Sequence, residues 1–369
     1  MNNKSIVYLA EVKKDSNKSL IDSLAIMIDK SDLFKKIESS DKVAIKTHFG
    51  ERGGYAYIRT PFIQKIVSKV KEYGGIPFLT DSNTLYSHKR HNAIDHLETA
   101  AINGFTSETA GAPIIIADGL TGKDQEIVKI KGKHFSEIYI ASAIFYSDFI
   151  IVATHFTGHP MGGFGGSIKN LAMGGASVKG KFFQHSEYIP KVKKELCRLC
   201  GICIENCGYD AIKKGKDSIY FINENCVGCG ECLVVCKYGA ISPKYSSEAK
   251  KLQEKMVEYL MGIKNQKKEK IIYINFLIDI SPGCDCCSFS NAPIVPDLGI
   301  LLSDDPVAID KASADLVNNT AYSPLWSTEN SSNIRDKFRA IYKDVDWNWQ
   351  LDYGRQKGIG NKEYEIIKV

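Results

Sequence analysis

The feature that most constrains this chain is a cysteine pattern that occurs twice. The segments CRLCGICIENC (197–207) and CVGCGECLVVC (226–236) each separate four cysteines by two, two and three residues. These runs contain eight of the 11 cysteines, and no cysteine lies in the first 196 residues. The repeated spacing indicates an internal duplication that has kept the cysteine positions, so the function of this segment depends on the thiol groups.

Four kinds of chemistry place cysteines at short intervals. Structural zinc usually takes two cysteine pairs separated by a longer loop, and disulfides conflict with a reducing compartment. Catalytic or free thiols do not require the same spacing twice. The observed run is typical of bacterial ferredoxins, in which three thiolates bind one [4Fe-4S] cluster and the fourth thiolate binds the other cluster.

This crossed arrangement assigns the ligands of two clusters. Each set combines three cysteines of one run with the last cysteine of the other run. We expect cluster 1 to be bound by Cys197, Cys200, Cys203 and Cys236, and cluster 2 by Cys226, Cys229, Cys232 and Cys207.

The rest of the chain alternates short apolar strands with amphipathic helices. The runs DKVAIKTHF (41–49) and DFIIVATHF (148–156) predict buried strands, and RTPFIQKIVSKVKEYGG (59–75) carries apolar residues at helical spacing. After the cysteine runs, KIIYINFLIDI (270–280) predicts a further strand. We therefore predict an α/β fold with a layered mixed sheet, interrupted by a small ferredoxin-like α+β insert. The predicted boundaries are 1–190 and 244–369 for the two parts of the α/β domain, and 191–243 for the insert.

Composition limits the classes of function. The chain has 44% hydrophobic and 25% charged residues, as globular proteins do, and no apolar run reaches the roughly 18 residues of a membrane helix. The first residues, MNNKSIVYLAEVKKD, contain too short an apolar stretch for a signal peptide, so the predicted location is the cytoplasm. The net charge of +5 is spread along the chain, and neither nucleic acid nor a membrane is an expected partner.

A glycine-rich segment follows one of the predicted strands. HFTGHPMGGFGGSIKNLAMGG (155–175) offers backbone N–H groups to an anion or a flat cofactor, although it matches neither the dinucleotide nor the phosphate-loop pattern. The alternative is a turn that serves only as a connector. In the loop 162–175, the predicted ligand-binding residues are Gly163, Gly165, Gly166, Ser167, Lys169 and Asn170.

Ionisable side chains fall at the ends of several predicted strands. Ligands of open α/β sheets bind outside the carboxyl ends of the strands, and His48, Asp81, Asp118 and His155 all lie at such ends. His159 follows four residues after His155. For each histidine, a hydrogen-bonded structural imidazole is the alternative. The three histidines at 48, 155 and 159 are therefore candidate catalytic residues.

The last three cysteines lie in PGCDCC (282–287), just after the strand predicted at 270–280. In an extended segment, Cys284 and Cys286 project from the same face. That arrangement suits a redox-active thiol pair, or a further metal site completed by His48 or His155. The alternative is that these cysteines simply pack as small hydrophobic residues. Cys286 is thus a candidate catalytic residue, and Cys284 and Cys286 are candidate metal ligands.

Several of these segments together resemble a known family. They are FLTDSNTLYSHKRHNAIDHLETAAINGF (78–105), the glycine-rich segment, the two cysteine runs, and PGCDCC followed by IVPDLGILLSDDPVAIDKASADL (294–316). The chain resembles the family called domain of unknown function 362, in its form with an inserted two-cluster ferredoxin module. The resemblance implies an iron-sulfur protein of mainly anaerobic organisms and transfers no catalytic residue.

Three functions fit these observations. The preferred one is an oxidoreductase in which two [4Fe-4S] clusters pass electrons to or from a ligand site on the glycine-rich loop and the strand-end side chains. The second is an electron carrier or docking protein for other redox enzymes, and the third is a ligand-binding protein with structural clusters. The expected partners are small redox proteins or an acidic small-molecule substrate. An additional metal or anionic ligand is also expected, and the sequence leaves open whether the chain forms a homo-oligomer.

Overall fold

The computed structural model describes residues 4–13, 17–85, 89–185, 190–226, 232, 236, 238, 240–242, 245–327 and 334–369. Cys229, a predicted cluster ligand, lies outside them. The strands are β1 (Ser5–Glu11), β2 (Lys42–Lys46), β3 (Ile76–Asp81), β4 (Ile114–Ile116), β5 (Gln125–Lys129), β6 (Glu137–Ala141), β7 (Phe149–His155), β8 (Thr157–His159), β9 (Gly163–Gly165), β10 (Lys191–Val192), β11 (Ile212–Lys214), β12 (Ile219–Phe221), β13 (Ile241–Ser242), β14 (Ile271–Leu277), β15 (Gly299–Ser303) and β16 (Tyr364–Lys368). The helices are α1 (Leu20–Ser31), α2 (Thr60–Glu72), α3 (Ala93–Ile102), α4 (Ser107–Ala110), α5 (Ser142–Tyr146), α6 (Ser167–Gly174), α7 (Val178–His185), α8 (Ile202–Glu205), α9 (Tyr245–Lys267), α10 (Pro306–Asn319), α11 (Lys337–Ile341) and α12 (Asn348–Gln356).

A mixed sheet of eight strands organises the chain, in the order β16-β1-β15-β14-β7-β2-β3-β4. From β14 to β4 all neighbours are parallel, whereas β15 is antiparallel to both β14 and β1. The parallel strands therefore end at one edge, named here the carboxyl edge, where β2, β3 and β7 finish at Lys46, Asp81 and His155. The predicted α/β fold with a layered mixed sheet is confirmed.

Helices cover both faces of this sheet. Along β14, Ile271 and Tyr273 join a hydrophobic cluster that includes residues of α6, α9 and α10. Ile272 and Ile274 point the other way and join a second cluster with residues of α1 and α2. All residues of β7 and β14 are buried, as expected for parallel strands covered on both faces. The carboxyl edge is thus the part of these strands where side chains can meet a ligand.

The cysteine-rich segment lies between α7 and α9 and forms its own short elements. β10 pairs with β13 and β11 with β12, both antiparallel, and within the described residues none of these strands joins the large sheet. The pairing of β10 with β13 brings the start and the end of the segment together. The predicted domain boundaries at 190 and 243 stay a prediction, and this pairing is compatible with them.

The described part of the chain contains no helix that combines the length and the apolar character needed to span a membrane.

Candidate functional site

The PGCDCC segment forms a turn at the carboxyl edge, beyond the end of β14. The amide of Cys287 donates to the carbonyl of Cys284 at 3.0 Å, so the segment is a turn and not extended. The turn still brings the sulfur atoms of Cys284 and Cys286 to 3.0 Å from each other. The predicted proximity of these two thiols therefore arises from a different backbone conformation.

Two basic side chains meet this cysteine pair. The Nζ of Lys169, in the first turn of α6, lies 3.3 Å from Cys284 Sγ, and His48 Nε2 lies 3.7 Å from Cys286 Sγ. The amide of Gly50 donates to His48 Nδ1 at 3.0 Å, so the neutral ring carries its proton on Nε2, towards the sulfur. The four side chains of Cys284, Cys286, Lys169 and His48 are named the thiol site.

The surroundings make the two thiols unequal. The hydrogen bond from Cys284 is the main reason that the pKa of Cys286 lies well below its ordinary value, and Lys169 and His48 act in the same direction. The same hydrogen bond and burial raise the pKa of Cys284. Burial alone would lower the pKa of Lys169, but the nearby sulfur atoms of Cys284 and Cys286 raise it. The pair therefore behaves as one thiol sharing its proton with one thiolate, next to an ammonium group.

His155, a candidate catalytic residue, holds the turn in place. Its Nδ1 lies 2.7 Å from Asp285 Oδ1, and its Nε2 lies 2.7 Å from the carbonyl oxygen of Ile278. Both partners are acceptors, so both ring nitrogens carry protons and the ring is an imidazolium. Burial opposes the charge, but Asp285 and the hydrogen bonds raise the pKa of His155. Because both nitrogens are engaged, we assign His155 to positioning Asp285, between the two cysteines, and not to metal binding.

This assignment predicts a pH-dependent effect of Asp285→Asn. The stabilisation from a raised histidine pKa is complete below the unfolded pKa of about 6.5, and it is lost as the pH rises through the folded pKa. We expect the variant to lose roughly 1.5–3 kcal/mol of unfolding free energy at pH 6, the usual contribution of a charged hydrogen bond, and clearly less at pH 9. Urea denaturation of both proteins at the two pH values measures it, and an equal loss at both would contradict a charged His155.

His159 lies beside the thiol site but faces the glycine-rich segment. Its Nδ1 accepts hydrogen bonds from the amides of Met161 at 3.2 Å and Gly162 at 3.0 Å. Burial and the charge of Lys169 hold the pKa of His159 well below its ordinary value. The ring is therefore neutral, with its proton on Nε2, and it can serve a ligand only as a donor at that atom.

The glycine-rich segment is more regular than the predicted loop. Gly163–Gly165 pairs with β8, and the next residues form α6. The amides of Ser167 and Ile168 donate to the carboxylate of Asp310 at 2.7 and 3.0 Å. A Cβ on Gly166 would lie 2.3 Å from Asp310 Oδ1, which explains the glycine at this position.

The carboxylate of Asp310 thus accepts the hydrogen bonds of amides that, from the sequence, were candidates to bind an external anion. Burial raises the pKa of Asp310 to about 6. Ligand binding by Gly163, Gly165, Gly166 and Ser167 stays a prediction, for which this packing leaves little room. Of the predicted set, Lys169 is the residue that reaches the thiol site.

A second group of ionisable side chains lies buried at the ends of β2 and β3. Lys46 Nζ lies 3.0 Å from Asp81 Oδ1, and their side chains are 2% and 4% exposed. Arg90 Nη1 lies 3.7 Å from Asp81 Oδ2, and Arg90 Nε lies 3.1 Å from Glu51 Oε2. Lys46, Asp81, Arg90 and Glu51 are named the buried charge network. Sequence reasoning found Asp81 and missed Lys46 and Glu51, although a lysine in the buried strand VAIK was a usable signal.

The charges of this network are unevenly matched. Burial raises the pKa of Asp81, but Lys46, His48, His96 and Arg90 together hold it well below its ordinary value. The pKa of Lys46 is also lowered, because burial outweighs its single carboxylate partner and Lys169 repels it. Asp81 thus faces several cations, whereas Lys46 faces one carboxylate.

Asn170 links the network to the thiol site. It follows Lys169 on α6, and its Oδ1 accepts a hydrogen bond from Lys46 Nζ. Its Nδ2 donates to Thr154 Oγ1 at 2.9 Å and to the carbonyl of Ala153 at 3.0 Å. The Asn170 side chain, predicted to bind a ligand, is engaged in holding Lys46. Two adjacent residues of one helix therefore support the two groups.

A third buried group connects the carboxyl edge with the cysteine-rich segment. Lys181 Nζ donates to the carbonyl of Asn83 at 2.7 Å, and Asn83 Nδ2 donates to Asp118 Oδ1 at 2.9 Å. Burial raises the pKa of Asp118 to about 6 and lowers that of Lys181 to about 8. Two residues beyond Asn83, the carbonyl of Leu85 lies 3.5 Å from the hydroxyl of Tyr209. The cysteine-rich segment thus contacts the loop that follows Asp81.

Thiols from both cysteine runs pack together in that segment. Cys203 and Cys232 are buried in its small hydrophobic core, and Cys197, Cys207 and Cys236 pack against it. Burial and then the thiols of Cys236, Cys200 and Cys197 raise the pKa of Cys203 to about 11. The described residues contain no group of three or more His, Cys, Asp or Glu side chains placed to hold a metal ion. The ligand assignments, including the candidate metal site at Cys284 and Cys286, stay predictions.

Two solved structures are similar to this chain at low identity. The lactate racemase apoprotein from Thermoanaerobacterium thermosaccharolyticum has 12% identity and a TM-score of 0.36, over 74% of this chain and 51% of that chain. A Thermotoga maritima protein from a structural genomics consortium has 8% identity and a TM-score of 0.36, over 72% of this chain and 51% of that chain. The chain matches only about half the length of these two proteins.

No curated protein matches this chain. The family described as a domain of unknown function, number 362, matches residues 43–315. That match runs from β2 to α10 and includes both the carboxyl edge and the cysteine-rich segment. The chain therefore belongs to the family called domain of unknown function 362.

Proposed function

We propose that this chain is an iron-sulfur oxidoreductase whose cysteine-rich segment binds two [4Fe-4S] clusters and whose thiol site is the place of reaction. The observation that carries the proposal is the small core in which thiols from both cysteine runs meet. Such clusters supply one-electron transfer when bound. Placing them in an insert, residues 191–243, keeps them attached to the α/β layers on both sides.

The chemistry of the donors suits this group, because cysteine thiolates are the usual ligands of iron-sulfur clusters. Cluster 1 would be held by Cys197, Cys200, Cys203 and Cys236, and cluster 2 by Cys226, Cys229, Cys232 and Cys207. The amide of Ala211 donates to Cys207 Sγ at 3.3 Å. Amide hydrogen bonds to ligating sulfur stabilise the negative charge there and tune a cluster's potential. Cys203 and Cys236, which belong to different runs, lie in the same small core, and this supports the crossed assignment.

The overall charge of the chain favours an acidic partner. At the thiol site, Lys169 balances the charge of the Cys286 thiolate. In the neighbouring groups, Lys46, Arg90 and Lys181 lie near the carboxylates of Asp81, Glu51 and Asp118. The sequence as a whole carries a net charge of +5, so an acidic small molecule, or an acidic segment of a small redox protein, is the partner that electrostatic attraction favours.

Counting iron and sulfide tests the proposal. Anaerobically prepared full-length protein is expected to contain about eight irons and about eight acid-labile sulfides per chain, and dithionite should produce the electron paramagnetic resonance signal of reduced clusters. A count of about four or fewer after full reconstitution, or stoichiometric zinc, would contradict it. Clusters that dithionite cannot reduce would favour a ligand-binding protein with structural clusters.

A further inference from the structure

We propose that Cys284 and Cys286 are a redox-active pair that reduces disulfide substrates and closes into an internal disulfide. This deepens the proposed function by naming disulfides as the substrate class. It rests on the proposed function in one respect, because the clusters would supply the electrons that return the pair to the dithiol. The reaction with the substrate itself needs only the residues of the thiol site.

The geometry of the turn supports closure of this disulfide. The two sulfur atoms lie 3.0 Å apart, and a disulfide bond requires about 2.05 Å, so a small side-chain movement joins them. The hydrogen bond between Cys287 and Cys284 and the anchoring of Asp285 by His155 hold the turn in place. The sulfurs therefore face each other without rearrangement of the sheet.

The pair lies at the carboxyl edge of the sheet. Cys284 and Cys286 are each half-buried there, counting backbone and side chain together. A structural cysteine pair with no reaction partner would usually be fully buried, because cysteine packs as a small hydrophobic residue. Partial exposure beside cationic groups is instead the setting in which reactive cysteines occur.

The contacts assign different roles to the two thiols. Cys286 accepts the hydrogen bond from Cys284 and faces His48 Nε2, so its sulfur is the attacking thiolate. Cys284 retains a proton and lies 3.3 Å from Lys169 Nζ, which stabilises its thiolate when that proton leaves. Cys284 is therefore the resolving thiol.

The reaction balances with a disulfide R–S–S–R as the oxidant. The Cys286 thiolate attacks one sulfur of the substrate, the substrate S–S bond breaks, and one thiolate leaves as a mixed disulfide forms on Cys286. Cys284 then loses its proton and attacks Cys286 Sγ, which releases the second thiolate. The pair loses two electrons and becomes a disulfide. The substrate gains two electrons and two protons, one from Cys284 and one from the solvent, and leaves as two thiols.

Thiol trapping in glutathione buffers tests the pair in the full-length protein. Anaerobic protein is equilibrated with mixtures of reduced and oxidised glutathione, quenched in acid, labelled with N-ethylmaleimide and digested with trypsin. The peptide from Ile271 to Lys311 contains all three cysteines of this segment. We expect it to lose two of its three labels together as the mixture becomes oxidising. A peptide that keeps three labels in every mixture would overturn the proposal.

Serine variants identify the two cysteines. Cys287→Ser is the matched control and should lose its two remaining labels over the same range of mixtures. Cys284→Ser removes the resolving thiol and should instead accumulate a glutathione adduct on Cys286. Cys286→Ser should form neither the internal disulfide nor a rapid adduct. If Cys287→Ser abolishes the transition, the pair is wrongly assigned.

Reaction rates test the role of Lys169. At pH 6 we expect iodoacetamide to modify Cys286 at least about tenfold faster than it modifies N-acetylcysteine, because an ordinary thiol is almost fully protonated there. Lys169→Met should move the pH profile of Cys286 modification to higher pH, because it removes a cation that stabilises the thiolate, and Lys169→Arg should restore the profile. Faster labelling of Cys287 than of Cys286 would contradict the assigned nucleophile.

Iron measured on the same samples separates the two proposals. About eight irons together with a peptide that never loses labels would refute the disulfide chemistry alone. A cycling pair in protein that never binds iron would refute the proposed function alone.

Discussion

Replacing Asp81 with asparagine is expected to lower the free energy of unfolding by about 3–5 kcal/mol, as is typical when one partner of a buried ion pair is removed. The carboxylate is 4% exposed and lies 3.0 Å from Lys46 Nζ. It also lies 3.7 Å from Arg90 Nη1. Without it, Lys46 has no carboxylate partner in the buried charge network, and both cations lose the charge that offsets their burial.

Tryptophan fluorescence during urea denaturation measures this loss of unfolding free energy in the α/β layers. All three tryptophans lie between residues 326 and 349, so the signal reports the α/β layers and not the cysteine-rich segment. Glu11→Gln is the matched control, because Glu11 pairs with Lys368 at the surface, where their side chains are 32% and 64% exposed. The free energy of unfolding of Glu11→Gln should fall by no more than about 1 kcal/mol. Equal losses in the two variants would show that the network contributes no more than a surface pair.

The pH dependence of this difference has a definite sign. The folded pKa of Asp81 is depressed, so its stabilisation is complete above the unfolded pKa of about 3.9 and is lost as the pH falls through the folded value. The difference between the wild type and Asp81→Asn should therefore shrink below about pH 4. A difference that grows on acidification would contradict the ionised state of Asp81.

Local sequence patterns were sufficient to predict the layers of the fold. The apolar runs that became β7 and β14 are buried along their whole length, and a continuous apolar run is the sequence signal of a strand covered on both faces. The strand-end rule also placed Asp81 and His155 at the carboxyl edge before any contact was known. These properties depend on residues close together in the chain, so the sequence displays them directly.

Two local conformations were not evident from the sequence, because they depend on partners distant in it. The PGCDCC segment became a turn, and Asp285, at its centre, is held by His155 from another strand. The glycine-rich segment became a strand and a helix whose amides are satisfied by Asp310, which lies 143 residues away from Ser167. No periodicity within either segment encodes such a partner. Tertiary contacts therefore decided the conformation at the positions nearest to the site.

Paired alanine substitutions are expected to show whether the cluster ligands cross between the two cysteine runs. In the crossed assignment, Cys197 and Cys236 belong to the same cluster, whereas Cys197 and Cys207 belong to different clusters although they lie in one run. The double variant Cys197→Ala with Cys236→Ala should therefore keep about four irons per chain. The double variant Cys197→Ala with Cys207→Ala should keep almost none. Each variant changes two cysteines and shares Cys197→Ala, so they differ only in which second ligand is lost.

An uncrossed arrangement, in which each run binds its own cluster, predicts the opposite order. Iron and acid-labile sulfide, counted on anaerobically reconstituted protein, therefore distinguish the two arrangements. The crossed arrangement is the one proposed here, and Cys236 of the second run lies near enough to Cys203 of the first run to raise its pKa. Crossed ligands also have a physical consequence for folding. Each cluster would join the two runs, as the pairing of β10 with β13 joins the ends of the segment, so loss of either cluster should loosen the whole segment and not only one of its halves.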